Sequence, residues 1–133
     1  MMERSLDYAH VSQRLIDRVP VLAAHCLAEF PNWSDTTNPP GSHAVFGLVV
    51  LPCLLEELKK EGGDQVLRRL FDFFEEMAQA KDPKVVNLLK LEIITPLIRN
   101  PVALKKAAKH MESQTRKLVK TLERLIRPHF QFG

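Results

Sequence analysis

The feature that most constrains this chain is a stripe in its last third. Leu104, Ala108, Met111, Thr115, Leu118, Leu122 and Leu125 recur at alternating steps of four and three. That spacing puts them on one face of a helix. Lys105, Lys106, Lys109, Arg116, Lys117, Lys120, Arg124 and Arg127 occupy much of the remaining surface. Asn100-Pro101 supplies a start signal, and Pro128 an end. A single helix from there to Arg127 would run roughly 40 Å at 1.5 Å per residue. Such a helix must dock its apolar stripe on a body, and it presents positive charge elsewhere.

The body that receives it carries the opposite charge. From residue 99 onward nine lysines and arginines face two glutamates, a net of +7, so a total of +3 leaves −4 on residues 1–98. Such division suits an anionic partner for the tail, an acidic docking face on the body, or two regions that complement each other within one fold. The 133 residues suffice for one domain with its own core.

The same periodicity recurs upstream. Val11, Leu15 and Val19 mark a helix over residues 6–19, and Pro20 opens another that runs to Phe30. Residues 31–42 are turn chemistry, rich in proline, asparagine, serine and threonine. Residues 44–60 are ambiguous: Val45 to Leu51 suit a buried strand, but no partner strand exists. A buried helix kinked or restarted at Pro52 is expected, stopped by Gly62-Gly63. Asp64 is a candidate cap for a helix carrying Leu67, Leu70, Phe71 and Phe74. Asp82-Pro83 starts the most apolar helix, which Pro96 should bend or end. The fold class is therefore all-α: a single-domain antiparallel bundle, or a short repeat-like stack, of five to six helices, with residues 128–133 as a tail.

Catalytic and metal-binding signatures are lacking. The five histidines show no pair at helical zinc spacing, and Cys26 and Cys53 form neither a zinc set nor a disulfide framework. They are expected to be buried free thiols in a reducing cytoplasm. There is no phosphate-binding glycine loop and no nucleophile elbow. The apolar run over residues 44–55 is well short of the roughly 20 residues that span a bilayer, and the polar start has no signal-peptide core. The expectation is a non-enzymatic cytoplasmic protein with no cofactor, no metal and no membrane partner.

Three sets of charged residues remain. Glu56, Glu57, Glu61, Asp72 and Glu76, with Glu75 sharing the Asp72 face, form a candidate acidic surface for a protein partner or an ordinary solvated face. Lys105, Lys109, Arg116, Lys117, Lys120 and Arg124 form a candidate anion-binding face, although no stacking aromatic lies between Met111 and Arg127. Glu92 stands alone in the most apolar stretch, where it must escape at an edge or pair with a base from another helix. An enzyme built on Glu75 and Glu92 is a third reading.

The middle of the chain resembles a known group. Phe71-Asp72-Phe73-Phe74-Glu75-Glu76-Met77-Ala78, then Asp82-Pro83-Lys84-Val85-Val86-Asn87-Leu88-Leu89 with Leu91-Glu92, and later His110-Met111-Glu112-Ser113-Gln114-Thr115, is similar to a family of small helical bacterial proteins of otherwise unknown function. Members of that family are similar to immunity proteins that neutralise polymorphic or contact-dependent toxins. The resemblance covers roughly residues 45–126. It implies a non-enzymatic inhibitor that covers a partner's active site. A regulatory or nucleic-acid-associated protein using the basic C-terminal helix is the alternative.

Overall fold

A computed structural model describes residues 6–32, 40–60, 62 and 64–126. Seven helices and no strand occur among them. They are α1 (Val11–Arg18), α2 (Val21–Glu29), α3 (residues 42–59), α4 (Gln65–Ala78), α5 (residues 83–98), α6 (Pro101–Ala108) and α7 (Ser113–Ile126). They pack as a compact bundle around one core. At its centre α4 lies against α1, α3, α5 and α7. Phe46, Phe71, Phe73, Phe74, Leu70 and Met77 are fully enclosed there. Phe71 and Phe74 meet edge to face at 5.3 Å, the arrangement that their ring quadrupoles favour.

Several starts follow local chemistry. Asp82 Oδ1 accepts from the Lys84 amide at 3.0 Å, and Asn100 Oδ1 from the Ala103 amide at 3.2 Å, each just before a proline in the first turn. The other Asp82 oxygen accepts from the Tyr8 amide at 2.9 Å, which ties the N-terminal segment to α5. Asp64, expected as a cap, makes no such bond. The first helix begins at Val11, not Leu6, because residues 8–10 form a turn closed by the Asp7 carboxylate on the His10 amide. Cys26 and Cys53 are buried free thiols.

The segment with strand-like residues is helical, and neither interior proline ends its helix. A proline has no N–H to donate and its ring crowds the carbonyl four residues back. Both α3 and α5 relieve that crowding with one widened π turn just before the proline. In α3 the turn is Phe46–Val50, ahead of Pro52, and the Leu51 amide reaches back five residues to the Phe46 carbonyl. In α5 it is Lys90–Ile94, ahead of Pro96, and the Thr95 amide reaches Lys90 in the same way. The two widened turns pack against each other.

The long terminal helix is the main departure from expectation. It breaks at residues 109–112 into α6 and α7, an elbow of two helices in place of a rod. This accounts for the seventh helix. No glycine or proline causes the break; contacts from α4 do, and they form part of the site described next.

Candidate functional sites

The elbow is held from α4 by two successive contacts. His110 stacks on Phe71 with ring centroids 5.8 Å apart. One turn along, Glu75 enters the start of α7, where its Oε1 accepts from the Thr115 amide at 2.9 Å and from the Thr115 hydroxyl at 3.0 Å. Its Oε2 accepts from the Gln114 amide and the Gln79 side chain, both at 3.0 Å. Glu75 is thus a long-range cap for α7, and its charge sits at the positive end of the α7 dipole. Only 7% of the residue is exposed. Burial pushes its pKa up, but the Thr115 and Gln114 amides and the Thr115 hydroxyl outweigh burial and hold it below the ordinary glutamate value. Beside it Asp72 meets Glu112, and the hydrogen bond that a protonated Glu112 donates to the Asp72 carboxylate, with burial and repulsion, raises the Glu112 pKa.

Arg116 braces the elbow from the other side. Its Nε donates to the Met111 carbonyl at 2.9 Å and its Nη2 to the Ala108 carbonyl at 3.1 Å, just past the end of α6. The resulting angle encloses a groove of about 460 Å³. Its floor is apolar, formed by Leu104, Ala108, Met111 and Val119, and Lys109, Arg116 and Lys120 line its edge together with Glu123. Lys105, Lys117 and Arg124 lie outside that lining.

A second groove, of about 450 Å³, lies between α2 and α3. Ala28, Leu48, Val49, Pro52 and Cys53 supply its apolar surface, and Glu29, Glu56, Glu57, Lys60 and His25 its polar surface. Three carboxylates therefore face one lysine, and the Lys60 ammonium donates to Glu57 at 2.7 Å. The outer side of α2 extends the apolar surface: Val21, Ala24, Leu27 and Ala28 are all exposed. Leu27 and Leu48 are each more than half exposed, at 51% and 53%.

The five acids expected to form one surface have different neighbours. Glu56 and Glu57 line the α2–α3 groove. Asp72 faces Glu112 at the elbow. Glu76 pairs with Arg18 of α1, whose guanidinium lies 5.7 Å from the Phe73 ring centre. Glu61 lies outside the described residues. Glu75, expected on the outer face with Asp72, is buried, and Glu92 reaches an edge, as expected, with 27% of its side chain exposed. His43 of α3 is the basic group that meets it, with Nδ1 at 2.8 Å from Oε2. Gly47 makes room for this carboxylate: a Cβ there would stand 2.8 Å from Glu92 Oε1. Tyr8 lies tilted against His43 at 6.0 Å between ring centres, and the Ser12 and Ser42 hydroxyls are bonded beside them at 2.7 Å. Glu75 and Glu92 thus serve separate helix junctions.

The sequence matches the domain of unknown function DUF7674 over residues 12–127. The chain belongs to that family. The match takes in all of the helices from the first turn of α1 onward, so the elbow and both grooves lie within the DUF7674 region. Comparison with curated proteins and with solved structures gives no match. Among the described residues no group of three or more histidines, cysteines or acids is placed to hold a metal ion, and no helix is long and apolar enough to cross a membrane.

Sequence reasoning missed Glu29, His25 and Leu48 as groove residues. A weak signal was present: α2 is apolar on nearly every side, as Val-Leu-Ala-Ala-His-Cys-Leu-Ala-Glu, and a nine-residue helix at the edge of a bundle cannot bury all of that.

Proposed function

We propose that this chain is a non-enzymatic protein-binding protein, a bacterial immunity-type inhibitor that occludes a partner in the cytoplasm, with the α2–α3 groove as its binding face. The observation that carries the reading is the exposed apolar side of α2 running into a groove edged by Glu29, Glu56 and Glu57. An apolar centre with a charged rim is the usual anatomy of a protein interface. The excess of carboxylate favours a basic partner, because opposite potentials speed and orient docking. Leu27 and Leu48 are the apolar anchors, and Glu29 and Glu56 steer. Inhibition by coverage asks for shape and charge complementarity, not for reacting groups.

Co-expression with a candidate toxin domain from a neighbouring gene tests this reading. The wild-type chain should protect cells. A variant combining Leu48→Asp and Glu56→Lys should lose protection while keeping its helical circular dichroism and melting temperature. Death of cells expressing the wild-type chain contradicts the immunity reading for that pair. A gel shift with generic RNA and duplex DNA at physiological salt addresses the alternative. Micromolar binding abolished by reversing Lys109 and Lys120 would replace the proposal with a nucleic-acid function.

A further inference from the structure

We propose that the α6–α7 elbow is a second docking site, for an acidic amphipathic helix of a partner protein. It is independent of the α2–α3 groove and opposite to it in charge. The first ground is composition. The floor made by Leu104, Met111 and Val119 is apolar, while Lys109 and Lys120 stand at the edge in no ion pair among the described residues. A helix with an apolar stripe and carboxylates beside it satisfies both surfaces at once. A nucleic-acid backbone satisfies only the cations. It would leave the apolar floor wet, and the lining has no aromatic side chain for a base to stack on.

The second ground is rigidity. Glu75 holds the first amides of α7, His110 lies on Phe71, and Arg116 binds the carbonyls of Ala108 and Met111. The angle between α6 and α7 is thereby set before any ligand arrives. A groove that needs no rearrangement loses less free energy on binding. The basic excess of the last third of the chain adds a long-range pull on an acidic partner.

The test uses fluorescence anisotropy on the full chain at physiological salt. The probe is a fluorescein-labelled synthetic peptide of about four helical turns, with leucine at alternating steps of three and four and glutamate at most other positions. The controls are a scrambled peptide of the same composition, a labelled RNA and a labelled DNA duplex. The patterned peptide should bind at tens of micromolar or tighter and shift the methyl resonances of Leu104, Met111 and Val119. The scrambled peptide should bind about tenfold or more weakly. Lys109→Glu with Lys120→Glu should weaken the patterned peptide about tenfold or more, because exposed cations steer and hold an acidic partner. Arg69→Glu, a charge reversal on α4, should have little effect. No binding by the patterned peptide, equal binding by the scrambled one, tighter binding by RNA or DNA, or indifference to the double reversal overturns the proposal. Loss of toxin protection in Glu56 variants concerns the other groove and leaves these outcomes unchanged.

Discussion

Glu75 and Glu92 are both single acids reaching from one helix to another, and they work under opposite conditions. Glu75 sits 7% exposed and meets only neutral donors, two of them backbone amides at a helix start. Glu92 meets a histidine at an edge, where His43 keeps 44% of its side-chain exposure. Water screens the second contact far more than the first. The amides that Glu75 serves would otherwise be orphaned in the interior, while those around Glu92 belong to a continuous helix. The comparison teaches that the role of a buried acid follows from what it satisfies, not from the hydrophobicity of the residues flanking it. Glu75 is therefore a structural residue whose removal should reshape the elbow groove, and Glu92 contributes modestly to the α3–α5 crossing.

The largest expected effect separates the two acids directly. Glu75→Ala strips partners from two amides and a hydroxyl, and should lower stability by about 2–4 kcal/mol, the scale of a lost cap combined with lost charge-assisted bonds. Thermal unfolding gives the total, and hydrogen exchange should show α7 amides losing protection first. If α7 keeps its protection, the elbow has another anchor. Glu92→Ala should cost no more than about 1 kcal/mol, because a partly exposed histidine–carboxylate contact contributes little. A loss as large as that of Glu75→Ala would remove the distinction between them.

A third variant sharpens the crossing. Gly47→Ala gains helix propensity but forces the Glu92 carboxylate aside, so its net effect should lie within about 1 kcal/mol of zero. Combined with Glu92→Ala, where the obstructing atom is gone, the same change should stabilise by roughly 0.5–1 kcal/mol. A double-mutant cycle measures that coupling. Equal effects in both backgrounds would mean that the close approach carries no strain.

The smallest expected effect is at Glu112. Its raised pKa means that the folded state holds the proton more tightly than the unfolded chain does. The associated stability is present below the ordinary glutamate range and is lost as pH rises through the folded pKa. Glu112→Gln should therefore raise the melting temperature at neutral pH slightly, by ~1–2 °C, and do less at low pH. A fall at neutral pH would contradict the repulsion with Asp72.

Much of the helical plan was legible because its signals are local. Asp82-Pro83 and Asn100-Pro101 cap and start their helices as their chemistry dictates. The apolar run through Val45 proved helical for the reason of elimination given by the sequence, the lack of any partner strand. The elbow was not legible. The stripe from Leu104 to Leu125 keeps helical spacing through residues 109–112, so local periodicity sees no break there. What ends the helix comes from Glu75, some forty residues earlier, which looked like a member of a solvated acidic face. The segments Phe71–Ala78 and His110–Thr115 contain both halves of this contact, since Phe71, Asp72 and Glu75 meet His110, Glu112, Gln114 and Thr115. Those motif residues hold the elbow, and the groove between α2 and α3 draws on residues largely outside them.

The most direct test of this division is an NMR titration of the Glu75 side-chain carboxyl carbon, with the Gln114 and Thr115 amide shifts followed in parallel. Its folded pKa is depressed, so the stability that it contributes is present above the ordinary glutamate range and is lost as pH falls through the folded value. The expected result is a carboxyl that titrates clearly below the other glutamates, with both amides moving at the same midpoint as α7 loosens. A Glu75 that titrates in the ordinary range, or amides indifferent to its protonation, would contradict the claim that this one carboxylate builds the elbow.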